Sequence, residues 1–189
     1  MAFLIAVAGL SGAGKTTAVD YLKNLGLGQK VYLGDIVLNE VRARGLAPGA
    51  ENERMVRLDL RLQQGPGALA ILAAATVRAL LNQGANVLVD AIFEIEEYKH
   101  FQTCCHNSTS VLLAIEASFE TRAVRLSSRD RRPLTREELK LRDETEIARL
   151  GTGTAIADAG HRIVNEKSIE AFQDELERFW KRAIGSPIK

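Results

Sequence analysis

The sequence predicts an α/β fold, a three-layer sandwich in which about five parallel strands are covered by helices on both faces and a small helical lid is added. Three observations predict it. Short apolar runs alternate with helical segments, the pattern of parallel strands buried between crossover helices. The stretch Gly9-Leu-Ser-Gly-Ala-Gly14-Lys15-Thr16 fits the phosphate-binding pattern G-x-x-x-x-G-K-[ST], with an apolar run before it and a helical pattern after it. Asp35 and Asp90 fall at the carboxyl ends of two further predicted strands, the edge along which such sheets bind ligands.

The elements follow in order. Phe3 to Ala8 is almost wholly apolar and reads as a strand covered on both faces. The glycine-rich turn opens a helix over Thr17 to Leu25, ended by Gly26 and Gly28. Val31-Tyr32-Leu33 predicts a second strand that finishes at Gly34-Asp35, and a helix over Ile36 to Arg44 carries Arg42 and Arg44 away from that edge. Glu51 to Gln64 reads as an amphipathic helix with Met55, Leu58 and Leu62 on its apolar side. Gly65-Pro66-Gly67 separates it from a helix over Ala68 to Asn82, whose Ala70, Ala73, Ala74 and Ala75 predict close packing.

Asn86 to Asp90 is an apolar strand ending in an acid, followed by a helix over Ile95 to Gln102, a strand over Ser110 to Ile115 and a helix from Phe119. Thr135 and Glu138 form a capping-box pattern at the next helix, which Gly151 and Gly153 are expected to end. Ile163-Val164 supplies the last strand, and Ser168 caps a closing amphipathic helix through Trp180.

Composition narrows the setting. At 189 residues, 46% hydrophobic and 26% charged, the chain suits a single domain, residues 1–189, with a proper core. A net charge of +1 gives no global pull toward nucleic acid or membrane. The opening apolar run lacks a positive leader and becomes the phosphate turn, so it reads as a strand rather than a signal peptide, and no run reaches membrane-spanning length. Cys104 and Cys105 are adjacent and poorly placed to bridge each other, which fits a reducing, cytoplasmic setting. His100, Cys104, Cys105 and His106 match no zinc spacing; a helix end and turn explain them equally well.

The chemistry follows from the turn. Backbone N–H groups of Gly9, Ser11, Gly12, Ala13 and Gly14, continuing into Lys15, Thr16 and Thr17, are placed to surround phosphate at a helix N-terminus. Lys15 is expected to reach the outer phosphates of ATP, and Thr16 to place its hydroxyl on Mg²⁺ together with Asp90. Asp90 read alone is also an ordinary strand-end turn residue, and Asp35 is also an ordinary N-cap. Thr121 to Arg136 holds Arg122, Arg125, Arg129, Arg131, Arg132 and Arg136 against the single acid Asp130. That segment is either a solvated basic face or part of a lid, about residues 127–150, in which Arg129 with Arg131 or Arg132 clamps the transferring phosphates.

These residues together resemble the small P-loop NTPase kinases of the dephospho-coenzyme A kinase and nucleoside monophosphate kinase group, and most closely the archaeal dephospho-coenzyme A kinase-like proteins. The resemblance runs through Gly9 to Thr17, Gly34 to Val37, Gly65 to Ala68, Val89-Asp90, Arg122 to Asp130 and Ile163 to Glu166. It implies that Asp35 takes the proton of the attacking hydroxyl, that Arg129-Asp130 is the lid pair, and that Phe93-Glu94 lines the acceptor site within a helical region of about residues 35–84 and its surroundings. Arg42 stands one turn beyond the position of the acceptor arginine of adenylate kinase-like enzymes, where Leu38 and Asn39 are found. Ala91 and Phe93 replace the Gly and Arg of the family's Asp-Gly-x-x-Arg pattern, a departure from an ordinary nucleoside monophosphate site.

The function expected is ATP-dependent transfer of the γ-phosphate to a hydroxyl, or a phosphate, of a nucleotide or cofactor precursor, with Mg²⁺. A kinase acting on nucleic acid, such as a hydroxymethylated base or a polynucleotide end, is the first alternative; a low aromatic content of 5% weighs against base stacking. An NTP-dependent switch is the second. Acceptor contacts come from variable helices, so the phosphate machinery does not name the acceptor.

Overall fold

The computed structural model describes residues 2–129, 133–148 and 150–185. Five strands, β1 (Phe3–Ala8), β2 (Gln29–Tyr32), β3 (Val87–Ile92), β4 (Thr109–Glu116) and β5 (His161–Val164), form one parallel sheet in the order β2-β3-β1-β4-β5. The predicted α/β sandwich is therefore present, with β1 at the centre. Leu4 to Ala8 are completely shielded from solvent, because both faces of the strand are covered.

Successive side chains of β1 enter two different cores, as strand geometry requires. Leu4, Ala6 and Ala8 join a layer made with α2 (Leu33–Ala43), α3 (Ala50–Gln64), α4 (Ala68–Asn82) and α5 (Ile95–Cys104). Ile5 and Val7 join the opposite layer, made with α1 (Lys15–Asn24) and α9 (Ile169–Ala183), where Trp180 is buried. A third, smaller cluster of Ala123, Leu126 and Leu139 ties α6 (Phe119–Ser127) to α7 (Arg136–Ala148). Truncating Leu4 to Ala in such a core costs about 2–5 kcal/mol.

Several expectations are corrected. The second strand ends at Tyr32, and Leu33, Gly34 and Asp35 already form the first turn of α2; Tyr32 is the N-cap, so Asp35 caps nothing. The faces of α3 are the reverse of those expected: Met55, Leu58 and Leu62 are exposed, while Glu53, Val56 and Leu60 are buried. Val56 and Leu60 pack into the layer containing α2 and α4, and Glu53 is buried with them. On α4, Ala70, Ala73 and Ala74 are buried as expected but Ala75 is exposed. Gly151 and Gly153 do not end a helix. Gly151 adopts φ 63° and is the N-cap of a short helix, α8 (Thr152–Ala157), which contains Gly153.

Other details agree with the pattern. The Thr135 hydroxyl accepts the Glu138 N–H at 3.2 Å while the Glu138 carboxylate accepts the Thr135 N–H at 2.8 Å, the reciprocal capping box. Cys104 and Cys105 are free thiols with sulfurs 3.5 Å apart, and burial pushes the Cys105 thiol up to about 12. Among the described residues no three His, Cys, Asp or Glu side chains converge to hold a metal ion, and no single helix is long and apolar enough to cross a membrane.

Candidate functional site

The phosphate-binding turn is shaped by contacts on both sides. A Cβ on Gly9 would stand 2.3 Å from the Ile115 carbonyl oxygen, and one on Gly14, at φ 108°, would stand 2.5 Å from Asn165 Nδ2. Only glycine permits these approaches. Asn165, which follows β5, donates through Nδ2 to the Ala13 carbonyl at 2.9 Å and accepts from Arg125 at 3.2 Å. The turn is thus held from the β5 side by a side chain that the sequence placed in the resembling segment Ile163 to Glu166 without a role.

Lys15 begins α1 and is buried. Its ammonium donates to the carbonyls of Gly9 at 2.7 Å and Leu10 at 3.0 Å, and lies 5.4 Å from the centre of the Phe93 ring. Burial lowers its pKa to about 8, against the pull of Glu146 and Asp90. Thr16 donates its hydroxyl to Asp90 Oδ1 at 3.3 Å. The buried Asp90 also pairs through Oδ2 with Lys30 at 3.1 Å, and Lys30 reaches Asp20 at 2.8 Å. A hydroxyl and a carboxylate brought together at the strand edge are the hard oxygen donors that Mg²⁺ prefers, and Asp90 Oδ2 has no well-formed hydrogen bond. These residues therefore fit the metal expected of them.

β3 runs two residues past Asp90, with a shift of register against β1 between Val7 and Ala8. Phe93 and Glu94 follow at once. Glu94 caps α5 in a reciprocal box with Glu97 that the sequence reading did not identify. Glu97 is completely buried, accepts the Phe93 N–H at 2.9 Å and receives Arg61 Nη2 of α3 at 3.2 Å. Burial raises the pKa of Glu94 to about 7, opposed by Arg61, whose Nε lies 3.8 Å away.

α6 and α7 bring a second set of charges to the turn. Arg122 is buried and donates to both carboxylate oxygens of Asp143 at 2.7 Å, and to the Ser11 carbonyl at 3.1 Å. It is therefore a buried brace between α6, α7 and the turn rather than part of an open basic face. Glu146 of α7 is also buried. Burial by itself would raise its pKa, but Lys15 and hydrogen bonds from Arg142 and Ser11 outweigh that and hold the carboxyl below its ordinary value. Neither Asp143 nor Glu146 was singled out from sequence; the only signal was the four-residue spacing of Arg142 and Glu146, which pair at 2.8 Å.

The remaining predicted residues divide. Ser11, Gly12, Ala13, Gly14, Lys15, Thr16, Asp90, Phe93 and Glu94 converge around the turn and the ends of β1 and β3. Thr17 and Arg129 line a cleft with Gly12, Gly14, Arg125 and Asn165. Asp35 is exposed at the start of α2, three residues beyond Tyr32, which is paired with Asp90 in the sheet. Arg42 stands in the last turn of α2, exposed and bonded to Asn39 at 3.1 Å, outside this cluster. Asp130, Arg131 and Arg132 lie outside the described residues.

Comparison with known proteins bears on the family and the fold. Residues 5–148 match the family described as an AAA domain. The chain is 36% identical to a UPF0200 protein of Hyperthermus butylicus, over 96% of this chain and 95% of the relative. The chain belongs to the UPF0200 family. A second UPF0200 protein, from Thermococcus gammatolerans, is 32% identical over 96% of this chain and 95% of its own length. Among solved structures, a shikimate kinase from Acinetobacter baumannii in complex with shikimate superimposes with a TM-score of 0.56 at 17% identity, covering 100% of this chain and 96% of that one. A sugar kinase from Janibacter gives 0.55 at 15% identity, covering 98% and 95%. At such identities the likeness is one of fold, and this UPF0200 chain has the P-loop kinase-like fold.

Proposed function

We propose that this UPF0200 protein is an ATP-dependent phosphotransferase that moves the γ-phosphate to a hydroxyl of a small-molecule acceptor, in the manner of the dephospho-coenzyme A kinase group. The observation that carries the reading is the meeting of Lys15, Thr16 and Asp90 at the glycine-rich turn, beside a cleft lined by Arg125 and Arg129.

Backbone N–H groups of Gly12 to Lys15 hold the phosphates at the start of α1. Thr16 and Asp90 would hold Mg²⁺, which would supply charge neutralisation to the bound phosphates. Lys15 turns from the Gly9 and Leu10 carbonyls toward the developing negative charge. Arg129, with Arg131, closes from residues 127–150, the proposed lid. The acceptor oxygen forms a bond to the γ-phosphorus as the bond to the β-phosphate oxygen breaks, and ADP leaves with that electron pair. The acceptor's proton passes to Asp35, or to Asp90 if the hydroxyl enters from the β3 side. Phe93 and Glu94 line the acceptor region, for which α2 to α4 supply the remaining walls. Because the transition state is loose, positioning and charge dominate over base strength.

The test is incubation with Mg·ATP labelled at the γ-phosphate and a panel of dephospho-coenzyme A, nucleosides, nucleoside monophosphates, and plain and hydroxymethyluracil-containing DNA. Label on a soluble acceptor supports the reading and names the substrate. Label on DNA alone overturns it in favour of a nucleic-acid kinase, and nucleotide turnover with no acceptor labelled overturns it in favour of a switch.

A further inference from the structure

The carboxylate of Asp90 is neutralised from an edge strand of the sheet as well as from the phosphate-binding turn. Lys30 stands opposite Leu88 in the register of β2 against β3, so its side chain leaves the sheet on the same face as those of Leu88 and Asp90, the face covered by α1. Asp20 of α1 is four residues after Thr16 and shares its side of the helix. The Lys30 ammonium therefore lies between two acids, 2.8 Å from Asp20 Oδ1 and 3.1 Å from Asp90 Oδ2, with the centre of the Tyr32 ring 5.6 Å away. The two contacts are unlike. That to Asp20 is a hydrogen bond, whereas Asp90 Oδ2, on a side chain only 1% exposed, has no well-formed one. Lys30 thus balances the charge of Asp90 without saturating Oδ2, and its hydrogen bond goes to a half-exposed acid instead. A buried ion pair kept for stability alone is expected to satisfy such an oxygen, because leaving it unpaired is costly.

We propose that Lys30 is a resident counter-ion of the cation site formed by Thr16 and Asp90: its ammonium neutralises Asp90 until a divalent cation arrives and then withdraws to Asp20. The proposal deepens the kinase reading and rests on it for the identity of that cation, Mg²⁺. An ammonium 3.1 Å from Asp90 Oδ2 repels a divalent ion approaching the same carboxylate, and water screens the repulsion poorly around a buried oxygen. Withdrawal is short, since Lys30 is already bonded to Asp20, whose side chain faces solvent. The site therefore resists a bare divalent ion and accepts one readily only when polyphosphate brings compensating negative charge to the turn. Lys30 in this way couples the entry of metal to the entry of nucleotide.

The experiment titrates Mn²⁺ into the whole, nucleotide-free protein and follows water-proton relaxation, which reports bound Mn²⁺ whether or not phosphate is ever transferred. Lys30→Met, which removes the charge and keeps most of the bulk, is expected to tighten Mn²⁺ binding about tenfold. Asp20→Asn, a change at a half-exposed position that the fold tolerates, takes away the ammonium's other partner and is expected to weaken binding about threefold. The double variant Lys30→Met/Asp20→Asn should match Lys30→Met within about twofold, because Asp20 acts through Lys30. Lys30→Arg keeps the charge and should stay within about threefold of the unaltered protein. Adding Asp90→Asn to Lys30→Met should remove the gained binding, which locates it at this carboxylate. Unchanged or weaker binding in Lys30→Met overturns the proposal, and so does a large loss from Asp20→Asn in the Lys30→Met background, which would make Asp20 a ligand. Transfer of labelled phosphate with Mn²⁺ affinity unmoved by Lys30→Met keeps the kinase reading and removes the counter-ion. The expected order of affinities without transfer to any acceptor does the reverse.

Discussion

The carboxylate of Glu146 closes on Ser11 of the phosphate-binding turn, accepting its backbone N–H at 3.1 Å and its hydroxyl at 2.6 Å. A negative group of the chain itself thus lies where the turn's donors meet phosphate in the proposed function, and Lys15 is the largest favourable charge acting on it. ATP arriving there meets like charge, so Glu146 must withdraw with α7 or lose its charge. Glu146→Gln is expected to tighten Mg·ATP binding by about tenfold, on the scale of one partly buried charge interaction. Calorimetric titration measures it, and an unchanged or weaker affinity would show that the contact does not compete with nucleotide.

Lys15 and Asp35 differ in what they supply. Lys15 is buried against the turn, whereas Asp35 is exposed at the start of α2. Removing charge stabilisation of the transferring group costs about 10²–10³ in rate, and a base contributes less to a loose transition state. Lys15→Ala should therefore reduce kcat/KM at least about tenfold more than Asp35→Asn. Single-turnover transfer of labelled phosphate gives the comparison, and equal losses would refute the ordering.

Arg122 and Asp143 form a buried, two-pronged pair that also reaches the Ser11 carbonyl. Arg122→Ala leaves Asp143 without its partner and loosens both α7 and the turn. A loss of about 3–5 kcal/mol is expected in urea unfolding. If Arg122→Ala and the double variant Arg122→Ala/Asp143→Ala were equally unstable, the stranded charge would not be the cause.

The lowered pKa of Lys15, about 8 against 10.5, has a defined sign. Between those values the unfolded chain binds the proton and the folded chain does not, so stability should rise with pH across that window. Lys15→Met should abolish the rise. Phosphate beside Lys15 restores the ammonium, so ADP binding at pH 9 should take up a proton, seen as a dependence of the binding enthalpy on buffer ionisation. No uptake would mean that the ammonium does not meet the phosphates.

Much of the fold was legible because its signals are local. The apolar run of β1, the glycine spacing of the turn and the Thr135-Glu138 box each act within a few residues. The α3 face was misread for a physical reason: Met55, Leu58 and Leu62 recur at helical spacing, but the helix packs Val56 and Leu60 into the apolar layer with α2 and α4 and turns Glu53 inward with them. Periodicity reports which residues share a face, and only packing decides which face is buried.

The sequence by itself determined the parallel sheet, the phosphate-binding turn and the strand that carries Asp90, since strand burial and backbone chirality require little beyond neighbouring residues. Tertiary structure decided everything that joins distant segments. Glu146 reaches Ser11 across 135 positions, Asn165 reaches Ala13 across 152, and Arg61 of α3 meets Glu97 of α5. Such pairs are charges or amides of ordinary type on separate elements. Their meaning arises when the crossover connections bring those elements to one edge of the sheet, where burial makes each polar contact count.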